Sequence, residues 1–193
     1  MPHWEVEDGR YFITLHLAGA IPAAGRLRLR AQAKALQGIP RTDAADWIQA
    51  QRAIFAEMER WLDRGTWNPH FKHPQVANAT VEAIEHRRSV GEWIVHAYVI
   101  MPTHVHLFLE LGEERLQPSL ENFKRWTTRQ AIEILSLESK RFWQSDWFDH
   151  WSRSDAEDDR IVSYIQDNPV KAGLVSRYTD WPYGSWAARP NEK

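Results

Sequence analysis

The sequence predicts an α+β fold built around an antiparallel sheet. Stretches rich in β-branched and aromatic residues alternate with stretches that favour helix, in the order strand, helices, strand, strand, helix, strand, helix. With the helices after the first strand set aside, this order is a β-α-β-β-α-β core of the ferredoxin-like type, with one helix appended at its C-terminal end. The 193 residues, 43% of them hydrophobic, suit a single domain over residues 1–193 with a helical insertion at about residues 22–70.

Composition excludes several classes of protein. The chain has no cysteine, so disulfides, thiol nucleophiles and cysteine-based zinc sites are excluded. No apolar run approaches the ~18 residues of a membrane helix, and the acidic, polar N-terminus does not resemble a signal peptide. We therefore expect a soluble, cytoplasmic, nucleoid-associated protein with no membrane partner. The net charge of −2 provides no global positive field, so any nucleic-acid site must come from local basic clusters.

The first half of the chain begins with a strand and continues as helix. Residues 11–17 are aromatic and β-branched, which is typical of a strand. Between residues 23 and 64 the composition favours helix, most clearly where apolar side chains recur at helical spacing: Ile48, Phe55, Met58 and Leu62. Asp43 is predicted to cap this helix and Gly65 to end it. A loop follows, and residues 75–86 are predicted to form another helix.

The second half alternates strands and helices. Trp93–Ile100 is predicted to be a strand, and Pro102 marks the turn into the next strand, so the two should form a hairpin. Residues 118–137 then carry an apolar stripe at helical spacing. Residues 142–151 are rich in aromatic side chains, and we expect a strand there.

The second strand of this hairpin carries the most informative feature of the chain, His104-Val105-His106. Successive side chains of a strand point to opposite faces of the sheet. One face is therefore apolar and turned to a core, with Val105, Leu107 and Leu109. The two histidines share the other face, close enough for both imidazoles to bind one metal ion or one phosphate.

The last predicted helix supplies further polar groups. It begins with a capping-box pattern at residues 154–157, and we expect it to end near Asn168, because Pro169 disfavours helix in the residue before it. Its apolar stripe consists of Ile161, Val162 and Ile165. Tyr164 and Asn168 lie one turn apart on a flank of that stripe. Packing of this helix across the sheet would bring a phenol and an amide to the histidine face.

These groups together suit phosphoryl chemistry. A divalent ion held by His104, His106 and Asn168 would keep positions open for a phosphate oxygen and stabilise the transition state. Tyr164 could then attack the phosphorus and form a phosphotyrosine. A free phenol has a pKa of ~10, so it requires activation by nearby positive charge. The sequence indicates no general base, and spacing alone also fits packing roles for all four residues.

Several motifs, taken in chain order, resemble those of the single-tyrosine HUH transposases, and most of all the REP-associated tyrosine transposases. They are Met-Pro-Thr-His-Val-His-Leu from residue 101, Tyr-Ile-Gln-Asp-Asn-Pro-Val-Lys-Ala-Gly-Leu from residue 164, and shorter segments at residues 11–15, 142–149 and 180–183. The resemblance covers most of the chain. Thr103 stands where members commonly carry Asn, but this difference lies in the turn before the paired histidines.

The resemblance implies a set of roles. In that family the two histidines bind Mg²⁺ or Mn²⁺, which assigns this role to His104 and His106, while Tyr164 corresponds to the nucleophile and Asn168 to the third ligand. The family cleaves single-stranded DNA at hairpin-forming palindromes, forming a 5′-phosphotyrosine and releasing a 3′-hydroxyl. We therefore expect an HUH-type DNA nickase with strand-transfer activity. The region from residue 23 to residue 64 is variable in such proteins, so it receives no role.

Local basic and aromatic residues are the candidate DNA contacts. Basic side chains bind phosphates, and tryptophans can stack on unpaired bases. Basic clusters lie on the stretch from Arg26 to Arg41, on the helix after the histidine strand, and in the tail up to Arg189. The residues predicted to bind single-stranded or hairpin DNA are Arg10, Lys124, Arg125, Trp126, Arg129, Trp143 and Lys171. We expect the DNA affinity to fall steeply with added salt.

Two other functions are open at this point. One is a non-catalytic hairpin-DNA-binding protein, a domesticated transposase, whose binding a chelator would not change. The other is a histidine-triad nucleotide hydrolase, although Phe108 stands where the third histidine of that pattern would be. The oligomeric state is open between the dimers of related families and the monomer expected from the resemblance.

Overall fold

Four strands form one antiparallel sheet in this computed structural model, which describes residues 6, 9–39, 44–64, 68–113, 115–138 and 141–187. The strands are β1 (Tyr11–His16), β2 (Trp93–Ile100), β3 (His104–Leu111) and β4 (Phe148–Trp151), and their order in the sheet is β2-β3-β1-β4. The predicted α+β class and the antiparallel sheet are confirmed, and so is the β2–β3 hairpin. The assignment to the ferredoxin-like type stays a prediction.

Five α-helices lie in the described part of the chain. They are α1 (Ala23–Gln37), α2 (Ala44–Arg64), α3 (Pro74–Ser89), α4 (Leu116–Leu135) and α5 (Asp155–Lys171). The helices α1 and α2 fill the region that the sequence marks as an insertion. None of these five helices is long and apolar enough to cross a membrane. Four residues named in the sequence predictions lie outside the described ranges: Arg41, Asp43, Gly65 and Arg189.

One face of the sheet packs against α3 and α4. Val105, Leu107 and Leu109 point to this face and are fully buried, as the strand alternation predicts. Trp93 of β2 packs on the same face, where its ring lies 5.3 Å from that of Phe123 in α4. These side chains belong to the hydrophobic core.

The other face of the sheet carries the paired histidines. In the β1–β3 register, His106 stands opposite Thr14 and His104 opposite His16, so all four side chains share this face. It is covered by α2 and α5, whose Phe55 and Tyr164 rings lie 5.5 and 5.8 Å from that of Phe12. Both faces of β3 are therefore buried, and the histidines lie in the interior rather than at an open surface.

The fourth strand is shorter than the sequence predicts. Residues 142–144 run beside the end of β1, where the amide of Ala18 donates to the carbonyl of Phe142, but regular pairing begins only at Phe148. The ammonium of Lys124 in α4 binds the carbonyl oxygens of Gln144 and Ser145, at 2.6 and 2.8 Å. The predicted strand over residues 142–151 is therefore interrupted after Trp143, which forms an isolated bridge with Leu17, and regular strand is limited to Phe148–Trp151.

The helix α5 begins as predicted but continues past its expected end. Ser154 caps it by accepting from the amide of Glu157, at 3.3 Å. Pro169 lies inside the helix, which ends at Lys171, three residues past the predicted end near Asn168. The last turn is closed by a bond from the amide of Leu174 to the carbonyl of Pro169, at 2.9 Å, and by Gly173 with φ of 67°. This is the Schellman pattern, which ends a helix on a left-handed glycine.

Candidate active site

The paired histidines are oriented by threonine hydroxyls. The Nδ1 atom of His106 lies 2.9 Å from Oγ1 of Thr14, and that of His104 lies 3.1 Å from Oγ1 of Thr103. Both Nε2 atoms are buried and have no hydrogen-bond partner among the described residues. Hydrogen bonding of one ring nitrogen that leaves the other free is how proteins present imidazole to a metal ion.

A carboxylate from α2 completes this group. Glu59 is buried, and its Oε2 atom lies 3.4 Å from Nε2 of His106. One ligand atom from each of Glu59, His104 and His106 lies within 4.8 Å of the others. Buried polar atoms without partners are rare unless a water or an ion satisfies them. Two imidazole nitrogens and a carboxylate oxygen form a donor set that fits a divalent transition-metal or magnesium ion.

The phenol of Tyr164 reaches the same point from α5. Ile161 and Ile165 are buried against the sheet and fix the rotation of the helix. Tyr164 is thereby held with its ring 5.5 Å from that of His106, and its hydroxyl donates a hydrogen bond to Oε2 of Glu59. The structure therefore brings the predicted nucleophile beside the predicted metal ligands.

Burial and charge set the protonation states of this group. Burial, with a smaller contribution from the neighbouring His106, lowers the pKa of His104 to about 3, so its imidazole is neutral at pH 7. Burial raises the pKa of Glu59, but the stronger combined attraction of His106, His104 and the Tyr164 hydroxyl lowers it to about 2. Burial, and then the negative charge of Glu59, raises the pKa of the Tyr164 phenol. The resting group therefore has a carboxylate, a neutral His104 and a protonated phenol.

Asn168 lies one turn after Tyr164 and is buried, and the nitrogen of its side-chain amide already forms a hydrogen bond within α5. Its Nδ2 donates to the backbone carbonyl of Tyr164 at 3.1 Å. Because an amide has one acceptor oxygen and one donor nitrogen, this bond leaves the oxygen for a metal or substrate contact. The role of Asn168 as a ligand stays a prediction.

The predicted DNA contacts fall into two groups. Three of them are engaged within the protein. Arg10 forms ion pairs with Asp155 and Asp158, and Lys124 binds backbone carbonyls. Burial lowers the pKa of Lys124 to about 8. Trp143 is buried, and its Nε1 donates to the hydroxyl of Thr127 at 2.8 Å. Because these three side chains have partners within the protein, no DNA contact is needed to explain their positions.

The remaining predicted contacts are more accessible. Arg125 and Arg129 are exposed on α4 and line a groove together with Arg141, while Trp126 is half-buried against the core. Lys171, at the end of α5, lies with its Nζ atom 5.1 Å from the centre of the Tyr164 ring. Lys171 is therefore a predicted DNA contact that lies beside the candidate nucleophile, Tyr164.

Glu59 is a candidate site residue outside the set predicted from the sequence, although a sequence signal for it exists. Phe55, Met58, Glu59 and Leu62 have the spacing of one buried helical stripe, and Met58 and Leu62 are indeed buried. A lone carboxylate on an apolar stripe is unusual, because a buried charge requires a partner or a metal ion. The helix α2, to which the sequence prediction assigned no role, therefore contributes a candidate metal ligand.

Comparisons with known proteins agree with the resemblance found in the sequence. No protein-family model matches the chain. The chain is 28% identical over 136 residues to an Escherichia coli protein named REP-associated tyrosine transposase, covering 65% of this chain and 79% of that protein. It is 32% identical over 100 residues to a Haemophilus influenzae protein named putative REP-associated tyrosine transposase, covering 47% and 57%.

A solved structure supports the fold. It is that of a REP-associated tyrosine transposase bound to a REP hairpin, with a TM-score of 0.57 and 18% sequence identity, covering 96% of this chain and 81% of that chain. At this identity the match shows a shared mixed α/β fold. Together with the two relatives, it confirms the resemblance of this chain to REP-associated tyrosine transposases.

Proposed function

We propose that this protein is a REP-associated tyrosine transposase that nicks and rejoins single-stranded DNA beside hairpin-forming palindromes. The observation that carries the proposal is the meeting of one phenol, one carboxylate and two free imidazole nitrogens at a single buried point. The names of the curated relatives, and the hairpin bound by the solved transposase of similar fold, support DNA hairpins as the substrate class.

The metal in this proposal is Mg²⁺ or Mn²⁺. His104, His106 and Glu59 would hold it, with the Asn168 oxygen as a further donor. When bound, it supplies positive charge that polarises a phosphate oxygen and offsets the charge of Glu59, which is one cause of the raised pKa of Tyr164. This is the activation by positive charge that a phenol nucleophile needs near pH 7.

The side chains at this site have separate roles in the reaction. The Tyr164 oxygen attacks the phosphorus, the new bond is a 5′-phosphotyrosine, and the bond to the 3′-oxygen breaks. The phenolic proton is released to solvent, and the departing 3′-oxygen takes up a proton to become a hydroxyl. Packing of Phe12 and Phe55 around the Tyr164 ring holds the nucleophile in place. Attack of that 3′-hydroxyl on the phosphotyrosine reverses the step and rejoins the strand, whereas attack of the 3′-hydroxyl of another strand gives strand transfer.

End-labelled DNA hairpins test this proposal. Hairpins with single-stranded flanks, taken from inverted repeats beside the coding sequence, are incubated with Mn²⁺ and denatured. A 3′-labelled substrate should give a labelled covalent protein adduct, and a 5′-labelled one should give a free fragment with a 3′-hydroxyl. Both products should disappear with a chelator.

Two matched substitutions give the controls. Tyr164→Phe should abolish the adduct, whereas Tyr178→Phe, which changes a tyrosine outside the site, should not. Equal adducts from Tyr164→Phe and the unchanged protein would exclude Tyr164 as the nucleophile. Hairpin binding without cleavage at any metal concentration would instead favour a non-catalytic hairpin-binding protein.

A further inference from the structure

A cavity lies beside the histidine face, between α1 and the end of β1. Its volume is about 230 Å³. This is smaller than the ~300 Å³ at which pockets for whole small molecules begin, so it suits a single nucleobase or phosphate. The residues that matter for its chemistry are His16, Arg26, Arg30, Lys34, Asp146 and Trp147, and we call this cavity the α1 cleft.

The wall of the cleft formed by α1 is basic. Arg26, Arg30 and Lys34 are spaced four residues apart and follow one side of the helix, which has no acidic residue in its 15 positions. Arg30 and Lys34 are exposed and form no ion pair or hydrogen bond with any other residue that the structure describes. Asp146 is the one carboxylate among the residues that line the cleft. The balance of charge therefore favours an anion.

The floor of the cleft adjoins the candidate metal ligands. His16 lines the cavity and pairs with His104 in the strand register, so the two imidazoles lie side by side on one face of the sheet. The side chain of His16 is more than nine-tenths buried, and its Nδ1 atom has no hydrogen-bond partner among the described residues. A buried polar atom of this kind indicates a contact that the protein alone does not supply.

We propose that the α1 cleft binds the single-stranded nucleotide next to the scissile phosphate, with Arg30 and Lys34 contacting its phosphates and His16 contacting it from the floor. The proposal rests on the proposed function and deepens it, because it gives the inserted helix α1 a substrate-binding role. A DNA strand that reaches the paired histidines must continue away from them. The α1 cleft provides a basic surface for that continuation, and it begins at His16, the neighbour of His104 in the sheet.

Binding measurements in the Tyr164→Phe background test this proposal without cleavage. The probe is a fluorescein-labelled hairpin with a single-stranded flank, followed by anisotropy over a range of salt concentrations. Arg30→Ala and Lys34→Ala should each weaken binding by about tenfold, the effect of one lost charge-assisted contact. Each should also reduce the slope of log affinity against log salt by about 0.7, the value for one phosphate of a single strand.

Two controls identify the contact. Arg28→Ala removes the same charge from the same helix at a position outside the cleft, and Glu57, its partner at 3.9 Å, retains contacts with Arg60 and Trp61. This variant should bind within about twofold of the parent. A blunt hairpin without a flank should bind the parent, Arg30→Ala and Lys34→Ala equally. His16→Phe, which keeps a ring and removes its nitrogens, should weaken binding of the flanked hairpin only.

The outcomes separate this proposal from the proposed function. If Arg30→Ala and Lys34→Ala bind the flanked hairpin as Arg28→Ala does, the cleft proposal is overturned even if the covalent adduct forms. If the substitutions weaken flank binding but no adduct forms with the unchanged protein, the cleft proposal stands and the nicking mechanism fails. Absence of any binding to the flanked hairpin overturns the cleft proposal as well.

Discussion

Mild acid should destabilise this protein through two buried histidines. Burial, with smaller contributions from nearby positive charge, lowers the pKa of His104 from 6.5 to about 3 and that of His16 from 6.5 to about 4. Both imidazoles are therefore neutral in the folded protein at pH 5 but protonated in the unfolded chain. Because the unfolded state binds more protons, stability must fall as the pH falls below 6.5.

The size of this loss follows from the same values. At pH 5 the unfolded imidazole is about 1.5 pH units below its pKa, and one unit corresponds to about 1.36 kcal/mol, so each histidine costs about 2 kcal/mol. The two together should lower the free energy of unfolding by about 4 kcal/mol between pH 7.5 and pH 5. That is a large fraction of the ~5–15 kcal/mol typical of a small protein.

Denaturant unfolding followed by tryptophan fluorescence measures this quantity. The free energy of unfolding is obtained from guanidinium titrations at pH 7.5 and pH 5 in the presence of a chelator. His16→Phe, compared with itself at the two pH values, should lose only about 2 kcal/mol, because one of the two imidazoles is gone. Equal stability of the unchanged protein at both pH values would refute the burial of neutral histidines on this sheet face.

Three further substitutions have defined outcomes. Glu59→Gln removes the carboxylate from the ligand group and should weaken Mn²⁺ binding at least about tenfold in calorimetry. The stabilisation of the folded protein by saturating Mn²⁺ should then fall by about 1.4 kcal/mol. Glu57→Gln on the same helix should change neither quantity, and equal Mn²⁺ affinities of Glu59→Gln and the unchanged protein would exclude Glu59 as a ligand. Ser154→Ala removes the cap of α5 and should cost about 1 kcal/mol in unfolding free energy. Gly173→Ala places a β-carbon at φ of 67°, where no atom lies within 4 Å, and should cost about 1 kcal/mol through backbone strain alone.

Local patterns predicted the parts of the site that depend on one element each. Strand alternation placed His104 and His106 on one face, and helical spacing placed Tyr164 on the flank that meets them. Both follow from the geometry of a single strand or helix, and tertiary packing did not override them. The motif resemblance then joined the two elements, which spacing could not do because about sixty residues separate them.

The rest of the site depends on packing between distant elements. Glu59 reaches the histidines only because α2 docks across a sheet face that an antiparallel sheet often leaves to solvent. The helix α5 extends three residues beyond Asn168 and closes with a glycine-terminated last turn. The predicted strand over residues 142–151 is interrupted where Lys124 of α4 binds the carbonyl oxygens of Gln144 and Ser145. Glu59 and Lys124 act from helices other than the element that they affect, whereas the turn at Gly173 is local to α5.

Mass spectrometry of the covalent product tests the central claim most directly. The adduct formed with Mn²⁺ and a flanked hairpin is digested with nuclease and protease, and the modified peptide is fragmented. The proposed mechanism predicts a nucleotide joined through its 5′-phosphate to Tyr164, the residue whose hydroxyl contacts Glu59 beside His106. A nucleotide on any other residue, or a Tyr164 peptide that stays unmodified while the DNA is cut, would contradict it.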